Sequence, residues 1–441
     1  MLELDERLIV IDDDPTGSQA VHGVQVVGRF DEPTITAALT ASQTVFLLSN
    51  ARALPEHAAV ARLAQIASTV RQVCHALGLQ ARFASRSDST LRGHFPADVR
   101  AIAGAGPLPT VLLVPCFVDG GRWTFDDVHW VREGQSLVPV GQTPYARDDS
   151  FGFHSSRLPE WVAEKSGGQI LAEDVISLPL QQVRTGGPEA LATMLAGAAG
   201  SVVVANAVDD GDLEVIADAV RIVEREGQEV LYRTGASFVR ARAGISRREP
   251  VTVADLGLTR RGRGGLVVCG SHVPLSTAQL TTLLQREDCV GIELDVPEVV
   301  ARGERAAVAQ REAAGRIVAA VRAGRHAVVY TSREVVPPAP GQGALELGEI
   351  VSGALVELVR RVRSEPDFLV TKGGITSHEV ATRALELERG TVLGQVVPGV
   401  SAWRVDTGGA GSQVLVVFPG NVGDERSLAD VVGALSVPEQ H

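Results

Sequence analysis

Two short segments of the chain concentrate side chains able to do chemistry. The first, Asp12-Asp13-Asp14-Pro15-Thr16-Gly17-Ser18-Gln19, sets three carboxylates in succession. Adjacent carboxylates repel one another and persist only where water, cations or hydrogen-bond donors offset their charge. One of them could act as general base on a hydroxyl, and another could bind Mg2+ or sugar hydroxyls; an exposed Asp/Gly turn is the plain alternative. The second segment, Arg86-Ser87-Asp88-Ser89-Thr90-Leu91-Arg92-Gly93-His94, gathers two guanidiniums, one carboxylate and three hydroxyls. Guanidinium forks bind carboxylates bidentately, while Asp and Ser suit sugar hydroxyls, so the combination fits a hydroxy acid as readily as a solvated loop.

Three further loops are poor in acids and rich in glycine: Gly270-Ser271-His272, Lys372-Gly373-Gly374-Ile375-Thr376-Ser377-His378-Glu379, and Phe418-Pro419-Gly420-Asn421-Val422-Gly423-Asp424. Thr376 with Glu379, and Ser276 with Gln279, have capping-box spacing, which predicts glycines at helix N-termini. Free N–H groups and the helix dipole make such a position an anion site, to which Lys372 could add charge. Each loop alone is a weak signal, and their conjunction suggests phosphates. Neither G-x-x-x-x-G-K-[ST] nor G-x-G-x-x-G occurs. His94 and His129 are candidate pocket residues, and no histidine spacing suggests a transition-metal site. Ser89 and Ser271 lie outside any G-x-S-x-G, which argues against a serine hydrolase.

Every one of these loops follows a short β-branched run and most precede an amphipathic stretch, the pattern of βαβ units. Strands are predicted at Leu8–Ile11, Thr44–Leu48, Arg82–Ala84, Thr110–Val114 and Ser201–Ala205, then at Leu266–Cys269, Ala327–Tyr330, Asp367–Val370 and Val414–Val417. Val60, Leu63, Ile66, Val70, Val73 and Leu77 share one helical face ahead of Gly78, a C-cap glycine. Parallel sheets bind ligands beyond the carboxyl ends of their strands, where these loops fall.

At 441 residues the chain exceeds one ordinary core, and two α/β domains are expected. Arg260 to Gly265 reads as the linker between them, Pro337 to Gly343 as an irregular surface loop, and the polar stretch from Val118 to Gly168 as an insertion that shapes a pocket or a subunit contact. A net charge of −12 argues against nucleic acid or an anionic membrane as partner. Apolar runs are too short to span a bilayer and no leader pattern opens the chain, so a cytoplasmic location is expected. Cys74, Cys116, Cys269 and Cys289 are widely spaced and read as buried small hydrophobes.

Taken together, the loops resemble the four-carbon acid sugar kinase family. Asp13-Asp14-Pro15-Thr16-Gly17 matches its D-D-x-T-G, Arg86 to Gly93 its K-x-D-S-T-L-R-G, and Gly373 to Thr376 its G-G-x-T. Pro398-Gly399-Val400 matches its P-G-V, and Phe418 to Gly423 its K-P-G-N-F-G. The resemblance implies an α/β protein of two domains, each a mostly parallel sheet covered by helices, with the reaction in the cleft between them: residues 1–258 for the sugar acid and 259–441 for the nucleotide. It implies ATP and Mg2+ as cofactors and a hydroxyl of a small, four-carbon sugar acid as acceptor. Asp13 or Asp14 would then accept the hydroxyl proton, with Arg86, Asp88, Ser89, Arg92 and Gly93 holding substrate. Ser271, Lys372, Gly373, Gly374, Ile375, Thr376, Gly420, Asn421 and Gly423 would hold nucleotide. Partners would be small molecules, with a homodimer admissible. Two family lysines are replaced, by Arg86 and by Phe418, which points to a divergent branch. A Mg2+-dependent phosphatase built on Asp12 to Asp14, and a non-catalytic sensor of sugar acid or nucleotide, are the competing readings.

Overall fold

The computed structural model describes residues 5–258, 262–301, 303–334, 344–406 and 411–436. Arg260 and Arg261 of the expected linker, and the Pro337 to Gly343 loop, lie outside the described residues. The chain forms two compact units, Met1–Arg247 and Arg248–His441. The division falls ahead of the expected 258/259 boundary because the segment after Arg247 already belongs to the second unit. Val251 N–H donates to Gln395 O at 2.7 Å, and Arg404 Nη2 donates to Leu256 O at 3.0 Å.

The first unit contains β1 (Glu6–Asp12), β2 (Gln25–Val27), β3 (Thr44–Leu48), β4 (Gln80–Arg86), β5 (Thr110–Val114), β6 (Arg122–Phe125), β7 (Val128–Glu133), β8 (Ser136–Pro139), β9 (Ile176–Leu178), β10 (Val202–Ala205) and β11 (Val230–Thr234). Eight of them pair in the order β2-β3-β1-β4-β11-β5-β10-β9, every pair parallel. Leu8 to Ile11 are all buried, as a strand covered on both faces must be. Ile9, Ile11, Val45 and Leu47 pack with Leu63, Ile66 and Val70 of the helix Glu56–Leu77, which ends at Gly78 in the left-handed region (φ 67°) as the sequence predicts. The Val118 to Gly168 stretch is an ordered addition, an antiparallel sheet of β6, β7 and β8 followed by the helix Leu158–Lys165.

The second unit contains β12 (Leu266–Cys269), β13 (Cys289–Leu294), β14 (His326–Thr331), β15 (Phe368–Lys372), β16 (Arg389–Val397), β17 (Val400–Asp406) and β18 (Ser412–Phe418). Its order is β13-β14-β12-β15-β18-β17-β16, with β13 to β18 parallel and β17 and β16 antiparallel. Val267, Val370 and Val416 pack with Leu280 and Leu283 of the helix Pro274–Leu284 and Leu428, Val431 and Leu435 of the helix Ser427–Leu435.

Both sheets contain a switch point, where successive crossovers leave one strand toward opposite edges. In the first unit it lies between β1 and β4, and in the second between β12 and β15. Ligands in open parallel sheets bind beyond such points. Among the described residues no helix is long and apolar enough to cross a membrane, and all four cysteines are buried and unpaired.

Candidate functional site

The first-unit site begins with register. Asp12 lies opposite Leu48 on β3 and opposite Arg86 on β4, so the acidic loop and the guanidinium loop emerge side by side. Arg86 Nε pairs with Asp12 Oδ1, its Nη2 donates to Asp14 O, and its Nη2 lies 3.6 Å from Asp13 Oδ1. The short helix Pro15–Ala20 sits directly on this pair. A Cβ on Gly17 would lie well inside contact distance of Arg86 Nε and both Asp12 carboxylate oxygens, so no larger residue fits. Gly17→Ala is expected to lower the unfolding free energy by about 1–3 kcal/mol through this overpacking, read as a reduced denaturation midpoint.

Three neighbouring carboxylates are held in different states. Burial raises the Asp12 carboxyl to about 7, partly countered by Arg86. Burial likewise raises Asp13, against the pull of Arg52 and Arg86. Neither Asp13 oxygen has a hydrogen-bond partner among the described residues; guanidinium nitrogens stand off at 3.6 and 3.9 Å. For Asp14, burial is outweighed by Arg52, Arg86 and the hydrogen bonds of Thr16, and its carboxyl is held below the ordinary value. Asp14 caps the short helix, accepting from Thr16 N–H at 2.8 Å, and pairs with Arg52 Nη2. Asp88 is also held low: burial opposes, but Arg92 and Arg52 prevail, with Arg92 Nε donating to Oδ2 at 2.7 Å.

Arg52, which the sequence reading missed, ties the cluster together. It follows β3 in the turn opened by Asn50 (φ 51°) and reaches Asp13 at 3.9 Å, Asp14, and Asp88 at 3.6 Å. Arg92 extends outward to Asp148 at 3.5 Å and lies over the Tyr145 ring, so the inserted segment helps wall the site. Ser89 and Gly93 complete the loop. His129 is fully buried, its Nε2 donating to Ser89 O at 2.8 Å and its Nδ1 facing Thr124 Oγ1 at 2.9 Å. Burial lowers its pKa to about 4, so it is a neutral strut for the loop. His94 Nε2 donates to Leu54 O at 3.0 Å and Ala51 O at 3.2 Å, bracing the Arg52 turn.

In the second unit β12, β15 and β18 are neighbours, so the three glycine loops emerge together. A Cβ on Gly373 would stand 3.1 Å from Ser271 Cβ, and one on Gly420 3.4 Å from Ser271 Oγ. Gly373 and Gly374 do open the helix Gly374–Glu379. The capping-box expectation fails, however: Thr376 lies inside that helix, and Ser276 inside the helix Pro274–Leu284, whose N-cap is Val273. Ser276 and Gln279 instead hold the last loop, Ser276 Oγ donating to Gly420 O at 3.2 Å and Gln279 Nε2 to Asp424 O at 2.7 Å. Lys372 is no free charge either. Its buried ammonium donates to Pro419 O and to Gly420 O at 3.2 Å and rests 4.1 Å from the centre of the Phe418 ring. Burial lowers its pKa to about 7. Phe418 thus supplies a π face beneath a lysine from the next strand. A cation that does reach this loop cluster is Arg333, also missed, whose Nη1 donates to Ser271 O at 2.9 Å. Ile375, 62% exposed, and Asn421 present their side chains to solvent, while Gly423 (φ 80°) turns the last loop.

Two domain models match this chain: a sugar-binding N-terminal domain over residues 8–242 and a nucleotide-binding C-terminal domain over residues 266–428. The chain belongs to the four-carbon acid sugar kinase family. It is 27% identical to the D-threonate kinase of Salmonella typhimurium strain LT2 over 97% of each chain. The fold is shared with solved structures at 17% identity. One, from Salmonella typhimurium LT2 and provisionally labelled a tRNA synthase, superposes with a TM-score of 0.71 over 96% of this chain and 98% of its own. Another, Haemophilus influenzae protein HI1011, gives 0.64 over 97% and 100%.

Proposed function

We propose that this protein transfers the γ-phosphoryl group of ATP to a hydroxyl of a small sugar acid, the acid held by the first unit and the nucleotide by the second. The observation that carries the reading is the pairing of two different loop chemistries, each at the switch point of its own sheet: carboxylates and guanidiniums after β1 and β4, glycine turns after β12, β15 and β18. D-threonate, the substrate in the name of the Salmonella relative, is the first acid to test.

In this reading Asp13 accepts the hydroxyl proton, because its oxygens are free of hydrogen bonds and burial makes it the more basic carboxylate, whereas Asp14 is committed to Thr16 and Arg52. Asp88, Ser89 and Gly93 face the sugar hydroxyls, and Arg86, Arg92 and Arg52 offset the charge of the surrounding carboxylates so that an acid can enter. Ser271, Gly373 to Thr376, Gly420, Asn421 and Gly423 would line the phosphates, Lys372 shaping that loop from beneath and Arg333 supplying charge. Mg2+ would neutralise the transferring phosphates, arriving on the nucleotide. The phosphatase alternative asks for carboxylates grouped around an ion, whereas Arg86 and Arg52 lie among Asp12, Asp13 and Asp14.

Two measurements follow. ATP with Mg2+ should raise the melting temperature, since a ligand that binds only the folded state stabilises it; no shift at millimolar ATP contradicts the nucleotide assignment. The rate should also depend on Asp13 being deprotonated. Its pKa is raised, so kcat/KM should rise with pH through a value above the ordinary aspartate figure of about 4 and level off beyond it. An acid limb at or below that ordinary figure would count against Asp13.

A further inference from the structure

Among the described residues, Arg233 is the one arginine at this end of the first sheet with both Nη nitrogens buried and left open. It sits on β11 opposite Ser85 of β4, so the parallel register delivers it beneath the Arg86 to His94 loop. Its Nε donates to Asp98 Oδ2 at 3.1 Å, which secures one edge of the guanidinium. The other two nitrogens, Nη1 and Nη2, are buried and have no hydrogen-bond partner among the described residues. The side chain is 1% exposed. Arg52, in contrast, turns its Nη groups on Asp13, Asp14 and Asp88, Arg86 turns Nη2 on Asp13 and Asp14, and Arg92 turns Nη1 on Asp148. The Phe95 and Trp161 rings flank Arg233 at 5.2 Å each, fixing its plane without offering an acceptor in it.

The open edge lies beside Gly93. A Cβ built on Gly93, whose φ is 136°, would stand 3.2 Å from Arg233 Nη2 and 3.8 Å from Asp13 Oδ2. Glycine therefore leaves a position free of side-chain atoms between Arg233 Nη2 on one side and the unpaired Asp13 carboxylate on the other. A hydroxy acid complements it, the carboxylate accepting from Nη1 and Nη2 and the hydroxyl donating to Asp13. Leaving two charged donors unpaired in a buried site is costly unless a ligand satisfies them.

We infer that Arg233 is the residue that takes the substrate's carboxylate, across the position that Gly93 leaves free beside Asp13, and so selects sugar acids over neutral sugars. This rests on the sugar-acid reading above and adds the residue that enforces it. Calorimetry on the full chain with D-threonate and with threitol, which replaces the carboxylate by a neutral CH2OH, tests both. Wild-type protein should bind D-threonate at least about 30-fold more tightly than threitol. Arg233→Lys, which keeps a cation for Asp98, should lose about 30-fold or more in D-threonate affinity. Its threitol and ATP affinities should stay unchanged, and KM rather than kcat should carry the kinetic loss. Gly93→Ala should weaken D-threonate binding with Arg233 intact.

Arg233→Lys that melts as wild type does and binds D-threonate equally well overturns the inference. Equal loss of both ligands overturns it too, because a purely structural arginine would not separate acid from polyol. Should Arg233→Lys fail to fold, Gly93→Ala decides the matter, and wild-type protein that does not distinguish D-threonate from threitol overturns the inference without any variant. A protein that binds sugar acids through Arg233 but phosphorylates none of them overturns the kinase reading alone.

Discussion

Asp13→Asn should reduce kcat by about 10²- to 10⁴-fold, the range a positioned general base contributes, while sugar-acid and ATP affinities change little. The substitution keeps shape and removes only the ability to accept a proton. Asp13 is suited to that role because its carboxylate is buried, raised by that burial, and engaged by no hydrogen bond among the described residues. The same change at Asp14 should act differently. Asp14 caps the helix Pro15–Ala20 and pairs with Arg52, so its loss should appear first as a lower melting temperature. Single-turnover kinetics beside calorimetry separates the two. Unchanged turnover in Asp13→Asn would move the base to another carboxylate.

Arg52→Met should be the most destabilising single change in the site. One guanidinium faces Asp13, Asp14 and Asp88, all largely buried, and its removal leaves three like charges without their shared counterion. Breaking a buried ion pair by deleting one partner costs about 3–5 kcal/mol, equivalent to a fall in melting temperature of about 10 °C in a unit of this size. The shorter-range Arg92, 24% exposed and shared with Asp148, should cost much less on the same substitution. Equal melting temperatures for wild type and Arg52→Met would show that the carboxylates are offset in some other way.

Sequence periodicity located the strands that carry the site, because β1, β3, β12 and β15 are buried on both faces and read as unbroken apolar runs. It missed β16, whose residues alternate between buried and half-buried, and β11, where Arg233 interrupts Val-Leu-Tyr. The acidic and glycine loops were legible because each is local. Arg52, Arg233 and Arg333 were not, since a lone arginine carries no neighbourhood signature and only strand register brings it to its partners. Phe418 read as a lost charge for the same reason: its ring meets Lys372 across a strand pair, a contact invisible along the chain. The capping-box spacing misled at Ser276 because its hydroxyl is taken by Ser271 and Gly420 of the neighbouring loops, and at Thr376 because the helix already starts at Gly374.

The proposed reaction is phosphoryl transfer from ATP to a small sugar acid. Coupled detection of ADP release over a panel of four-carbon sugar acids, D-threonate first, with ATP and Mg2+ tests it most directly. Turnover should require the acid, be absent with the matching polyol and collapse in Asp13→Asn. ADP release that no acid in the panel stimulates, from protein that nonetheless binds ATP, would contradict it.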